Sequence, residues 1–388
     1  RTNPTLLAAS LLAAAAATAR GDNSPASLVN PFIGASTSTA KAGVLHGLGK
    51  TFPGATTPFG MVQVNPNTIT GGDNGPGYSY EMEAIEGFAF TQMSGIGWYG
   101  DLGNFLVTPT TGDLRVVAGR HPEVAPGYRS RYDKRTETAE AGYYAATLTD
   151  YGVRVEATAA PRSGLLRFTF PASTTSRIQI DLARRTGGTS TKQRVRVAGD
   201  QAIEGWMECT PEGGGWGNGD GNARYTVYFH AEFSKPLKDY GVWKASIPAG
   251  QSRKREAIES VAYDKLVARA EILAQAVEVE GDHLGFFTEF PTTAGEVVTC
   301  KAGISFTSIE GARANLATEI PGWDFDAVRA QARKLWNDAL AKVRIDGGSE
   351  AQRRVFYTAL YHTMIDPRIL TDVDGSYPGG AGKMHTRG

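Results

Sequence analysis

The sequence predicts a mainly β protein, in which a large antiparallel β-sandwich domain is followed by helices near the carboxyl end. Gly accounts for 47 of 388 residues, about 12% against a typical ~7%, and together with 19 Pro it indicates many turns and short strands. Between residues 27 and 306, short runs of alternating polarity recur without a long helical period. After residue 309 the apolar residues recur with the period of a helix.

Composition and charge exclude two classes of protein. The 40 Lys and Arg residues balance the 40 Asp and Glu residues, so the formal net charge is zero. We therefore expect no nucleic-acid partner, because such binding requires a surplus of basic side chains. A hydrophobic content of 41% excludes wholesale disorder, and the length is that of about two to three domains.

The amino-terminal segment resembles a secretory leader. Residues 6–19 read LLAASLLAAAAATA, an apolar run too short to span a bilayer, which requires ~20 residues. Arg1 precedes the run, and small residues and a polar stretch follow it, so we predict a signal peptide over residues 1–26. This predicts a protein that is secreted and does not bind a membrane. The alternative is an Ala-rich helix of the folded protein.

The strands are predicted from runs with a period of two that are separated by short turns. We predict strands over residues 143–148, 153–157, 165–170, 177–182, 193–197, 225–233 and 298–305. Their number and spacing are typical of a sandwich, and we assign residues 27–308 to one such domain.

The helices are predicted over residues 312–319, from residue 323 onward, and over residues 351–365. The spacing places Val328 and Leu335 on the apolar face of the second helix, and Phe356 and Leu360 on that of the third. Three helices cannot cover such faces by themselves. We therefore expect the chain to be part of a larger protein, with these apolar faces exposed.

The cysteines and histidines do not predict a metal centre. Cys209 and Cys300 are compatible with one disulfide in an exported protein, but the sequence leaves their pairing open. Neither has a CxxC neighbour, and the six His residues form no HxH or HxxxH pair.

Two glycine-rich stretches, residues 71–78 and 94–104, are the strongest candidates for a binding site. They contain Gly72, Asp73, Trp98, Tyr99 and Asp101. A sugar pocket uses such residues, because aromatic faces stack on the C–H face of the ring, carboxylates accept hydrogen bonds from its hydroxyl groups, and Gly lets the backbone approach. The alternative is a pair of turns whose aromatic side chains fill the core.

A second candidate is the acidic turn Asp372-Val373-Asp374-Gly375, which follows the third predicted helix. An EF-hand is excluded, because Ala381 stands where the calcium loop requires Glu. A ligand site and a simple turn both remain open.

Several motifs, in chain order, resemble those of glycoside hydrolase family 92. They are VNPFIG at 29–34, TFPGATTPFGMVQ at 51–63, GFAF at 87–90, SGIG at 94–97, KAGISF at 301–306, FYTALYHTM at 356–364 and DVDGSY at 372–377. The resemblance extends from residue 29 to the end of the chain.

The resemblance implies a calcium-dependent exo-α-mannosidase that acts with inversion on mannose-containing glycans. It also implies a β-sandwich joined by linker helices, here residues 309–346, to an (α/α)6 barrel whose start is residues 347–388. The active site would lie between the two. The acid, the base and most calcium ligands would lie beyond Gly388, so we expect no catalytic or metal residue here. The fragment would be inactive without the rest of the barrel.

Carried over to this sequence, the family's pocket residues fall on Gly72 and Asp73, on the loop at 97–101, and on Asp372 or Asp374, with Asp372 favoured. The sequence departs from the family at Gly72, where many members have Trp, and at Gln92-Met93, where His-Leu is usual. These departures leave open which leaving group the enzyme prefers. The alternatives are a member that cleaves mannosyl phosphodiesters and a carbohydrate-binding sandwich without catalytic activity.

Overall fold

The structure, a computed structural model, describes residues 24–35, 51–68, 77–93, 102–213, 224–253, 260–379 and 384–386. The described residues are mainly β, as predicted. The strands are β1 Ala55–Thr56, β2 Gln63–Asn67, β3 Ala84–Ile85, β4 Gly87–Ala89, β5 Leu106–Thr111, β6 Ser130–Arg131, β7 Thr138–Glu140, β8 Tyr143–Leu148, β9 Val153–Ala159, β10 Ser163–Phe170, β11 Ser173–Asp181, β12 Lys192–Val197, β13 Ala202–Cys209, β14 Tyr225–Phe233, β15 Asp239–Ala245, β16 Glu271–Ala274, β17 Glu278–Gly281, β18 His283–Thr292, β19 Glu296–Ser305, β20 Ser376–Pro378 and β21 Met384–Thr386.

Two large antiparallel sheets form the sandwich. Within the described ranges, one sheet has eight strands in the order β1-β2-β4-β5-β11-β18-β15-β16, and the other has nine in the order β17-β12-β13-β14-β19-β10-β9-β8-β7. Strand β10 pairs with β9 on one side and β19 on the other. The predicted strands at 143–148, 153–157 and 165–170 correspond to β8, β9 and β10, which confirms the predicted antiparallel sheet.

The main core lies between these sheets and is formed by the inward-facing residue of each pleat. Val64, Phe88, Phe168 and Phe286 are fully buried in it. Aromatic rings fill much of the space, and the ring centroids of Phe105 and Phe229 are 4.8 Å apart. Burial of each such side chain contributes roughly 1.5–3 kcal/mol, which makes this core the main source of stability.

Four α-helices lie within the described residues: α1 Ser260–Val267, α2 Ile309–Glu319, α3 Phe325–Leu340 and α4 Glu350–His362. The last three were predicted, whereas α1 was not. The side chains of Ser308, Asp324 and Ser349 each accept a hydrogen bond from a backbone N–H in the first turn of helices α2, α3 and α4. These caps fix where the helices begin.

The predicted apolar faces of α3 and α4 are only half-buried, and the buried faces are rotated from them. Helix α3 buries Trp336, and helix α4 buries Tyr357 and Tyr361. The rings of Trp336 and Tyr361 contact each other with centroids 4.3 Å apart and planes tilted by 40°, and this contact ties the rotation of one helix to that of the other. Val355, on the predicted face of α4, is 59% exposed.

The described residues begin at Ser24. Of the predicted signal peptide, residues 1–26, only the last three therefore lie within the described residues. A 3-10 helix at Pro25–Leu28 packs against α3 and α4. Ala26 is buried, and its backbone N–H donates to Asn337 Oδ1 at 2.9 Å. Residues 24–26 therefore belong to the folded body. No helix in the described ranges is long and apolar enough to cross a membrane.

The two cysteines are buried and are not joined by a disulfide. Cys209 lies on β13 and Cys300 on β19, and burial raises the pKa of the Cys300 thiol. The disulfide that the sequence left open is therefore not formed in this structure.

Candidate functional site

Most of the predicted site residues lie outside the described residues. This applies to Gly72, Asp73, Trp98, Tyr99 and Asp101. The structure does describe the residues at which these two stretches leave and rejoin the sandwich, and it describes the acidic turn at residues 372–375.

The bases of the two glycine-rich stretches lie side by side. Thr68 donates its backbone N–H to Gly77 O at 2.8 Å, which joins the two ends of the first stretch. The N–H of Gly103 donates to Thr91 O at 2.8 Å, which joins the ends of the second. A hydrogen bond of 2.6 Å from Gln92 Nε2 to Asn67 Oδ1 connects one base to the other. The fold thus brings the described bases of the two stretches next to each other.

A row of amide side chains along β2 extends this polar region. Gln63, Asn65 and Asn67 alternate with Val64, which lies in the core, so the three amides point to the opposite face of the sheet. All three are fully buried. The sequence analysis did not use this alternation, although three amides at a spacing of two on a buried strand are a signal it could have found.

The amide row contacts the helical region. Gln63 Nε2 donates to Ile365 O at 3.0 Å, just beyond the end of α4. The N–H of Phe59 donates to Met364 O at 2.6 Å, and the N–H of Ile369 donates to Phe59 O at 2.8 Å. The polar face of β2 and the chain after α4 are therefore fixed relative to each other.

A buried ion pair stands beside the amides. Glu86 donates its backbone N–H to Asn67 O at 2.7 Å, and its carboxylate pairs with Arg184. Both charged side chains are 2% exposed. Their charges cancel, so they place no net charge beside the amide row.

Asp372 is buried and anchored by its own chain. Its carboxylate accepts hydrogen bonds from Ser305 Oγ and Asn315 Nδ2, each at 2.7 Å, and from Thr307 Oγ1. A Cβ at position 311 would collide with Asp372 Oδ2, which explains why Gly stands there. These bonds tie the acidic turn to β19 and α2.

Asp374 lies two residues further and is exposed. Its Oδ1 accepts the backbone N–H of Ser376 at 2.8 Å, which closes a local turn. The predicted role of Asp372 and Asp374 in binding sugar remains a prediction, and the geometry adds a structural role for Asp372.

His362 closes the carboxyl end of α4 and is half-buried. Burial lowers the pKa of its imidazole to about 4, so the ring is neutral near pH 7. Its neighbour Tyr361 is fully buried, and burial raises the pKa of its hydroxyl group. Neither residue carries charge in this region near neutral pH.

The described residues do not form a metal site of clustered side chains. Across those ranges, no group of three or more His, Cys, Asp or Glu side chains could hold an ion. The described residues therefore offer no such cluster to the calcium that the resemblance implies, and we assign no step to it.

Comparison with known proteins agrees with the fold and with the predicted family. The profile of the glycosyl hydrolase family 92 N-terminal domain matches residues 28–305, and that of the family 92 catalytic domain matches residues 311–388. An uncharacterized secreted glycosidase of Arthroderma benhamiae is 26% identical over 334 residues, which cover 83% of this chain and 40% of that protein.

Among solved structures, a GH92 α-mannosidase from Bacteroides thetaiotaomicron is 33% identical, with a TM-score of 0.77. The match covers 94% of this chain and 44% of that one. An inverting GH92 mannosidase from the same organism, with 23% identity and a TM-score of 0.73, supports the fold alone. The chain thus spans about two fifths of the length of these relatives. The family profiles together cover nearly the whole sequence, and the chain belongs to glycosyl hydrolase family 92.

Proposed function

We propose that this chain is the sandwich-side part of an α-mannosidase that removes terminal α-linked mannose from glycans with inversion. The observation that carries the proposal is the likeness to a GH92 α-mannosidase over 94% of the chain at 33% identity. A structure of a GH92 α-mannosidase from the same organism with mannoimidazole supports mannose as the sugar.

The length of the match indicates which catalytic residues this chain does not contain. Inversion requires an acid and a base with carboxyl groups about 6.5–9.5 Å apart, so that a water can attack the sugar carbon. The catalytic-domain profile matches only residues 311–388 here. We therefore propose that the acid, the base and the calcium ligands lie in the part of the relatives that this chain does not span.

This chain would then supply one wall of the pocket. In the proposal, Trp98 and Tyr99 stack on the sugar, while Asp73 and Asp101 accept hydrogen bonds from its hydroxyl groups beside Gly72. The hydrogen bond between the bases of the two stretches supports a common site for these residues. Asp372 would hold the acidic turn, with Asp374, at the edge of that wall.

The test uses this chain together with any sequence that continues it. We expect release of mannose from nitrophenyl α-mannoside but not from the α-glucoside, with β-mannose as the first product in NMR spectra. A chelator should abolish turnover, and residues 1–388 alone should show none. Release of α-mannose first would contradict inversion, and no release from any α-mannoside would contradict the proposal.

Two further outcomes separate the alternatives. Faster cleavage of a mannosyl phosphodiester than of the glycoside would identify the phosphodiester-cleaving class, in which phosphate leaves without a strong acid. Mannose binding by the longest form without cleavage would identify a binding module. We also propose secretion, supported by the leader-like residues 1–23 and by the fungal relative that is named secreted.

A further inference from the structure

The pair of amides that joins the bases of the two glycine-rich stretches has polar atoms left over. Asn67 and Gln92 are both fully buried. Their single mutual hydrogen bond uses Gln92 Nε2 and Asn67 Oδ1. Asn67 Nδ2 and Gln92 Oε1 have no hydrogen-bond partner in the described structure.

Such atoms are unusual in a folded protein. A buried donor or acceptor without a partner costs roughly 1–3 kcal/mol, and native structures contain few of them. Two of them on adjacent side chains therefore indicate a group that completes the pair when it binds.

The chemistry of the leftover atoms limits what that group is. One is a donor and the other is an acceptor, and exchanging N and O in both amides again leaves one of each. An ammonium group would match only the acceptor, and an anion would match only the donor. Two neighbouring hydroxyl groups match both, because each hydroxyl can donate and accept. The neutral surroundings, in which Glu86 and Arg184 cancel, also favour an uncharged ligand.

The backbone opposite the amides carries no side chain. Gly77 has a φ of +70°, and a Cβ built there would lie 3.0 Å from Asn67 Oδ1 and 3.5 Å from Gln92 Oε1. A side chain at this position would crowd both amides, because 3.0 Å is closer than an ordinary van der Waals contact. Gly77 is held in place by the hydrogen bond from Thr68 N–H.

We propose that Asn67 and Gln92 bind two neighbouring hydroxyl groups of the substrate sugar and so help to select it. The inference rests on the proposed function for the identity of the sugar. It would give the departure from His-Leu at Gln92-Met93 a role in specificity.

The test compares hydroxyl dependence in the unmodified protein and in Gln92→Met, each with any sequence that continues residue 388. Substrates are nitrophenyl α-mannoside and its four monodeoxy forms. In the unmodified protein, loss of a bonded hydroxyl should lower kcat/KM about 10- to 100-fold. Gln92→Met should lower kcat/KM for the mannoside by a similar factor. With that variant, kcat/KM for the same deoxy substrate should lie within about twofold of kcat/KM for the mannoside, because the hydroxyl no longer has a partner at residue 92. An equal loss on the mannoside and on every deoxy form would overturn the proposal.

The matched control is Gln193→Met. Gln193 is a buried amide whose Nε2 donates to Ser190 O at 2.9 Å and whose Oε1 accepts the N–H of Leu284 at 2.9 Å. This variant should unfold more easily but should keep the hydroxyl dependence of the unmodified protein. Gly77→Ala is the second test variant, because it crowds both amides without removing either. Its mannose affinity should fall, and unchanged affinity would contradict the proposed ligand position.

A binding readout separates this inference from the proposed function. Mannose should raise the thermal midpoint of the unmodified protein, and one deoxymannose should fail to do so. If that holds without any cleavage of α-mannosides, the hydrolytic function is wrong and the amide site stands. If mannosides are cleaved and Gln92→Met leaves the effect of removing each hydroxyl on kcat/KM unchanged, the amide site is wrong. No mannose-dependent shift and no cleavage would contradict both.

Discussion

Asp372 and Asp374 stand two residues apart and have opposite surroundings, which makes them a matched pair for a test of stability. The Asp372 carboxylate accepts bonds from three side chains, whereas Asp374 is exposed and bonds only to the backbone of its own turn among the described contacts. We expect Asp372→Ala to lower the free energy of unfolding by about 2–4 kcal/mol, because it removes a buried acceptor of three hydrogen bonds, two of them from the fully buried Ser305 and Asn315. Asp374→Ala should cost less than about 1 kcal/mol. Urea unfolding measures both.

The same two variants separate structural anchoring from sugar binding. If Asp372→Ala unfolds like the unmodified protein and yet loses mannose release, then its carboxylate contacts the sugar and the anchoring role is wrong. If both variants lower the free energy of unfolding equally, then Asp372 does not anchor the turn more strongly than Asp374, and the anchoring role is wrong.

At the scale of an element, helix α2 is attached to the nine-stranded sheet through a buried carboxylate. Glu204 on β13 is fully buried and accepts bonds from Arg313 of α2 at 2.5 Å, from His230 Nδ1 at 3.2 Å and from Arg196. Burial alone would raise the pKa of Glu204, but the hydrogen bonds from Arg313, Arg196 and His230 outweigh it and hold the pKa at about 2.

This depressed pKa predicts how the attachment responds to acid. Because the folded-state pKa lies below the unfolded value of 4.5, the contribution of Glu204 is present above about pH 5 and is lost as the pH falls toward 2. Glu204→Gln should remove this part of the acid sensitivity, on the order of 2 kcal/mol between pH 5 and pH 2. The measurement is urea unfolding at each pH. Glu278→Gln should change the pH dependence much less, because the Glu278 side chain is 49% exposed and solvent weakens its pair with Arg194. A Glu204→Gln profile parallel to the unmodified one would contradict the assignment.

Elements that depend on local sequence were predictable, and those that depend on distant contacts were not. Strands β8, β9 and β10 follow one another through short turns, so their alternation alone indicates a sheet. The buried face of α4 could not be predicted from local sequence, because the contact of Tyr361 with Trp336 decides it, across 25 positions in sequence. The Asn67–Gln92 pair also spans 25 positions and depends on how two chain segments meet, which no local pattern records.

At the scale of the whole molecule, the boundary between the two family profiles does not divide the packing. The profiles meet between residues 305 and 311, yet the 3-10 helix Pro25–Leu28 packs against α3 and α4. Trp336 of α3 donates its indole N–H to Thr56 O at 2.6 Å, and Gln63 is bonded to Ile365 O. Residues from both matched regions therefore share one buried cluster, which includes Val29, Phe52, Trp336 and Tyr361.

This shared cluster predicts that strand β2 and helix α4 lose stability together. Trp336→Leu removes a fully buried ring and a buried N–H donor, so the free energy of unfolding should fall by about 3 kcal/mol. Hydrogen exchange should then show protection falling by the same factor in the amides of β2 and of α4, because both open in one cooperative step. Trp323→Leu, at a ring 37% exposed, should change protection little in either element. If Trp336→Leu releases α4 while β2 keeps its protection, the helices form a separate unit, and the sandwich wall carrying Asn67 does not depend on them.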